Sequence, residues 1–160
     1  RKFDWKSSDY DWQLDYCKEL HETISEKILS SITDETFTLL FGNRRFLLEF
    51  NLIISQIIKQ LKKDEYPGLL HKDGVIHRCS YWPKWVGSGV FFRDRGRCAI
   101  CQKDLTGLLV SGVEKALDHI VPLKLGGTNE IINLQLLCPV CNGKKGGTKI
   151  LTSDNYPLYF

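Results

Sequence analysis

Two cysteine pairs constrain this 160-residue chain more than any other feature: Cys98-Ala99-Ile100-Cys101 and Cys138-Pro139-Val140-Cys141. A C-x-x-C turn brings two sulfurs to one ion, and two such turns complete the tetrahedral thiolate shell of zinc. Any fold must therefore carry residue 98 to the side of residue 141. In a simple zinc ribbon the pairs stand about 15 to 20 residues apart. Here 36 residues separate Cys101 from Cys138, so a folded unit lies between the knuckles with zinc joining its base. Four protein ligands leave no open position for substrate or water, so this metal is structural and does no chemistry. Six cysteines would also suit a disulfide protein. The paired spacing, with no secretory signal in the sequence, favours metal.

Composition narrows the setting. An apolar share of 42% supplies a real core, and 26% charged residues suits an intracellular, cytoplasmic protein. No apolar run reaches the roughly 18 residues that a membrane span requires. No methionine occurs, as expected of a piece of a longer protein. The formal charge of +3 is unevenly spread: residues 1–70 carry 10 Lys/Arg against 12 Asp/Glu, and residues 71–160 carry 12 against 7. The basic surplus thus falls on the cysteine-bearing half, where a polyanion is a natural partner.

Residues 1–66 read as a helical region for packing, assembly, partner binding or homodimer formation. Leu14, Cys17, Leu20, Ile24, Ile28 and Ile32 recur at helical spacing, predicting one amphipathic helix over 9–32 with Asp9 as N-cap. On that stripe Cys17 reads as a small buried residue, and His21 as a half-exposed side chain at its border. A shorter helix is expected over 33–41, started by Thr33 or Asp34 and stopped at Gly42-Asn43. A third is expected over 44–63, with Phe46, Phe50, Ile53, Ile54, Ile57, Ile58 and Leu61 on its core face and further burial around Leu47, Leu48 and Leu52. Tyr66-Pro67-Gly68 marks the boundary. Residues 67–90 form an irregular aromatic connector with a turn at Asp73-Gly74. Its His71, His77 and Cys79 are of ligand type but lack the pairing of the knuckles. Its Tyr81, Trp82 and Trp85, with Arg78 and Lys84, suit core packing or stacking on nucleic acid.

Between the knuckles, residues 116–121 read as a strand ended by Pro122, and residues 134–138 as a second. Gly126-Gly127-Thr128-Asn129 makes a loop, and a short helix begins at Asn142 and stops at Gly146-Gly147. The order is strand, loop, strand, helix, pinned by zinc.

With Arg93-Asp94-Arg95-Gly96-Arg97 before the first knuckle, Asp118-His119-Ile120-x-Pro122, Gly126-Gly127-x-Asn129, Asn133-Leu134 and Cys138-x-x-Cys141-Asn142-x-x-Lys145, this arrangement resembles the HNH nuclease family and its ββα-metal fold. The expected fold class is α+β: the helical unit, then a zinc-stabilised HNH module over 91–160. The resemblance implies a metal-dependent endonuclease acting on DNA and leaving 5′-phosphate and 3′-hydroxyl ends. It assigns His119 as general base, Asp118 as ligand of a catalytic divalent cation, Asn133 as the residue that shapes the loop and orients the histidine, and Asn142 as the second metal ligand. An amide oxygen in place of the family's usual imidazole shifts the preference toward Mg²⁺ or Mn²⁺. Lys145 matches the family's trailing basic residue near the phosphate backbone, with Lys144 beside it. Arg93, Arg95 and Arg97 read equally as phosphate contacts or as solvated surface charges. A lone Asp-His on a strand is most often a structural pair, so two alternatives stand beside the nuclease: a non-cleaving zinc-pinned binding module for nucleic acid or protein, and a nuclease subunit of a larger effector.

Overall fold

A computed structural model describes residues 10–108 and 111–154. The backbone divides into two compact units, residues 1–39 and 40–160. The division falls upstream of the expected boundary at Pro67, because the third helix is bonded into the second unit.

In the first unit, helix α1 (Tyr10–Glu22) runs without a break through a π-helical stretch (Thr23–Leu29) into α2 (Ser30–Gly42). Both residues that flank the π stretch, Glu22 and Ser30, keep right-handed helical angles. The two separate helices expected here are therefore one path. Thr33 does not cap a new helix; its hydroxyl donates to the Leu29 carbonyl at 2.7 Å, and Thr38 does the same to Asp34 at 2.8 Å. The expected cap Asp9 lies outside the described residues. Cys17 is exposed rather than buried, as are Leu14, Leu20, Ile24, Ile28 and Ile32.

Helix α3 (Arg44–Gln60) starts where Asn43 caps it, its side chain accepting from the Phe46 N–H at 3.0 Å. It ends three residues early because Asp73 takes the Lys63 N–H at 2.9 Å and the Lys62 ammonium at 3.1 Å. The buried face follows the apolar pattern only in part: Leu47 and Ile58 are buried as expected, and Ile54 and Leu61 pack beside Ile58. Arg44, Leu47, Asn51, Ser55 and Ile58 face inward, while Ile53 and Ile57 stay 59% and 53% exposed. The inward polar groups have partners: Asn51 Nδ2 donates to the Ile132 carbonyl at 2.9 Å, and Arg44 pairs with Asp94 at 2.9 Å. These bonds override hydrophobic periodicity.

Strands β1 (Leu70–Lys72) and β2 (Val75–Ile76) form a small antiparallel hairpin around the Asp73-Gly74 turn. Leu70 and Ile76 pack with Ile58 in a minor core. Helix α4 (Lys84–Arg93) then crosses to the main core, where its Val86 and Val90 meet Cys98, Ala99, Leu105, Leu134 and Leu136. Strands β3 (Ala116–His119) and β4 (Leu134–Leu137) pair antiparallel, with Asp118 opposite Gln135 and His119 opposite Leu134. Helix α5 (Pro139–Lys145) begins three residues before the expected start, because the knuckle is itself its first turn. Cys138 occupies the N-cap, its sulfur accepting from the Cys141 N–H at 3.4 Å, and Pro139 follows at a position that needs no N–H. Strand, strand and helix stand in the expected order, and the class is mixed α and β.

Candidate functional site

The four cysteine sulfurs lie within 4.8 Å of one another, and none is in a disulfide. Cys101 and Cys138 sulfurs are 3.8 Å apart, close to the edge of a tetrahedron with arms of about 2.3 Å, the zinc–thiolate length. The donors therefore fit zinc. Burial opposes ionisation of Cys98, but the N–H groups of Cys101, Cys138 and Ile100 outweigh it and bring that thiol to about 7. Cys141 is pushed up to about 12 by burial and by its three sulfur neighbours. Such opposed shifts mark four thiols competing for charge, which a dication would relieve.

The loop between β3 and β4 brings the chain back on itself at very short range. Pro122 opens a 3₁₀ turn over Leu123–Leu125, and a second spans Ile131–Asn133. A Cβ on Gly127 would stand 1.8 Å from the Val121 carbonyl oxygen, and one on Gly126 (φ +83) would stand 2.6 Å from the Ser55 carbonyl. Only glycine fits either place. Asn133, fully buried, closes the loop: its side chain accepts from the Val121 N–H at 2.9 Å and donates to the carbonyls of Val121 at 2.9 Å and Thr128 at 2.8 Å. Asn133 thus ties Val121 to Thr128 across the loop. Its side chain bonds only backbone, so orienting the histidine falls to another residue.

That residue is Asn129. Its Oδ1 accepts the Cys79 N–H at 3.2 Å, and its Nδ2 donates to the His77 carbonyl at 2.7 Å. A backbone donor on one side and a backbone acceptor on the other fix which end of the amide is oxygen. His119 Nε2 lies 3.3 Å from that oxygen, so Nε2 carries the hydrogen and the Nδ1 lone pair is left to accept a proton. The Trp82 indole donates to the Asn129 carbonyl at 3.2 Å, and its ring centre is 5.9 Å from that of His119. The connector is not irregular throughout, since it carries the β1–β2 hairpin and the start of α4, and its 77–82 stretch, read as core packing or nucleic-acid stacking, is a wall of this site. Burial holds the imidazole below its ordinary pKa; the Asn129 bond and the Asp118 charge oppose this, while Arg78 and Lys145 reinforce it. His119 is therefore neutral near pH 7.

Asp118 is bound along one oxygen only. Gln135 Nε2 donates to its Oδ2 at 3.1 Å, and the Lys145 ammonium reaches the same oxygen at 2.9 Å. Lys145 also donates to the His119 carbonyl at 2.7 Å. Lys145 is 1% exposed, so it is no surface contact for a phosphate; it is the counter-charge of Asp118. Among the described residues Oδ1 has no hydrogen bond and is a hard oxygen donor of the kind Mg²⁺ and Mn²⁺ take. Asn142 lies three residues before Lys145 on α5, hence on the same face, and α5 packs on β3. A carboxylate oxygen and an amide oxygen are both donor types that a hard cation takes. Among the described residues, only the cysteines form a cluster of His, Cys, Asp or Glu tight enough to hold an ion alone.

The expected basic contacts divide. Arg93 is buried: it bonds Asp94 at 2.8 Å and the Ile131 carbonyl at 3.2 Å, donates to the Leu134 carbonyl, and lies 5.1 Å over the Phe41 ring. Its guanidinium is thereby withdrawn from any surface that a phosphate could reach. Arg97 and Lys144 are exposed, and Arg95 is half-buried at φ +54. Arg78 is exposed and close enough to His119 to lower its pKa. Gln135 and Asn129 had no assigned role in the sequence reading, and Arg78 was read only beside the connector aromatics, as a partner in stacking on nucleic acid. Only Asn129 carried a signal, as the last residue of the Gly-Gly-x-Asn loop.

Residues 98–148 match the family model described as HNH endonuclease, which covers about a third of the chain and both knuckles. No curated protein and no solved structure matches the chain. No helix among the described residues is long and apolar enough to cross a membrane.

Proposed function

We propose that this HNH segment is a metal-dependent endonuclease that hydrolyses DNA phosphodiester bonds to 5′-phosphate and 3′-hydroxyl ends, held in shape by zinc on Cys98, Cys101, Cys138 and Cys141. The observation that carries the reading is the setting of His119: buried, and bonded through Nε2 to an amide oxygen that cannot donate, with burial lowering its pKa. An imidazole so held is ready at Nδ1 to take the proton of an attacking water. Asp118 Oδ1 and the Asn142 amide would hold a Mg²⁺ or Mn²⁺ ion, which supplies charge stabilisation at the scissile phosphate. Gln135 and Lys145 keep the carboxylate from rotating, and Lys145 ties it to the His119 backbone. Arg78 and Lys144 are the exposed cations placed to receive backbone phosphates, with Arg95 and Arg97 further along the chain. One such site attacks one strand, so a double-strand break takes two copies or two events.

A plasmid-relaxation assay with Mg²⁺ or Mn²⁺ tests the claim. Replacing His119 by Ala removes the general base and should slow nicking by about 10² to 10⁴ fold. Equal relaxation by both proteins, or none by either across metals, would sink it.

A second reading rests on Lys145. An ammonium already bonded to the Asp118 carboxylate suits a zinc-pinned module that binds nucleic acid or protein without cleaving. It predicts salt-sensitive affinity that is indifferent to the same alanine substitution. The exposed Ile53 and Ile57 of α3, with the exposed apolar side chains of residues 10–39, also suit a protein partner, a homodimer or a larger effector.

A further inference from the structure

Beside the catalytic strand lies a groove that the site above does not use. It measures about 520 Å³ and is floored by Phe91, Ala116, Leu117 and Leu136, with Lys84 and Lys115 at its rim. Lys115 Nζ sits 4.6 Å over the Phe91 ring. Phe92 on the groove wall is 76% exposed, and Trp85, which follows the rim residue Lys84 in α4, is 64% exposed. On α4, Lys84, Ser88 and Phe92 recur every fourth residue and so share one face. Bare aromatic rings beside lysines leave apolar surface in water that a flat, anionic group would cover. A stacked base between ring and cation meets both demands, because every base offers a π-face and brings its own phosphate. Duplex DNA keeps its bases paired and stacked, and would leave this apolar floor unfilled.

We propose that the α4–β3 groove seats an unpaired nucleobase, so that single-stranded or locally unpaired DNA is the preferred substrate. This rests on the nuclease reading only for what happens next. Ala116 and Leu117 lead directly to Asp118 and His119 along β3, so Ala116 lies two residues, about 7 Å, from Asp118. A base seated over Ala116 and Leu117 thus brings a neighbouring phosphate toward the reacting side chains.

The test is fluorescence anisotropy of a labelled oligothymidine and of a duplex of equal length. It uses the His119→Ala chain without added divalent metal, so that no cleavage intervenes. The single strand should bind more tightly. Trp85→Ala and Phe92→Ala should each weaken that binding by about tenfold while leaving duplex affinity unchanged. Both side chains are largely exposed, so the fold should survive; Lys115→Glu gives an independent loss through charge. The proposal is overturned if the duplex binds as tightly as the single strand, or if neither aromatic substitution alters affinity. It is also overturned if both variants change the elution volume instead of the DNA affinity, because the groove would then seat a second copy of the chain. A His119→Ala chain that still nicks plasmid would defeat the nuclease reading and leave this binding result standing.

Discussion

At the scale of single residues, Asn129 and Lys145 decide what the Asp-His pair can do. Asn129 holds the imidazole by one amide oxygen and the connector by the other end of the same amide. Asn129→Ala should free the ring to adopt either tautomer and lower kcat by about tenfold or more, with KM for DNA little changed. Asn129→Asp keeps the acceptor and should restore part of the rate. Steady-state kinetics on both variants checks this, and a change confined to KM would contradict it. Lys145 shows why sequence pattern misassigns such a group. Near a family's phosphate-binding end, a lysine reads as a surface cation; here its stem runs through the core and its charge is spent on Asp118. Arg93 went the same way. A basic residue in the sequence does not reveal whether it turns in or out when buried acceptors that claim it, here the Ile131 and Leu134 carbonyls, lie far along the chain.

At the scale of elements, the legible part of the fold was the part fixed locally. The knuckles, both strands, the glycine loop and α5 were readable because each depends on residues within a few positions. The polar half of the α3 face was not, because Asn51 and Arg44 are drawn inward by partners 81 and 50 positions away: the Ile132 carbonyl and the Asp94 carboxylate. Periodicity counts apolar side chains and cannot count distant hydrogen-bond acceptors. The Gly126-Gly127 loop carries a further expectation. Gly127→Ala would drive a methyl into the Val121 carbonyl and against the Asn133 amide. It should destabilise the protein by about 1–3 kcal/mol or more, lowering the denaturant midpoint measured by circular dichroism; an unchanged midpoint would mean that the loop is looser than described.

For the whole molecule, the cysteine cluster is the pin on which β4, α5 and the 98–101 turn converge. Metal analysis should find one zinc per chain. Cys138→Ser removes a ligand and the α5 N-cap sulfur together, and should abolish cooperative thermal unfolding of the module. A variant that melts like the wild type with its zinc gone would show that the apolar core suffices alone.

The Asp94 carboxylate carries a consequence for transplanting this module. It receives Arg44 from α3, Arg93 from α4 and the Leu136 N–H from β4, yet it lies four residues before the matched segment begins at Cys98. A gene fusion cut at that border would strip a buried strand of its acceptor and discard the helix whose Ser55 backbone abuts Gly126. The portable cassette therefore starts at Asn43, and grafts that honour only the motif would inherit the blade without its hilt.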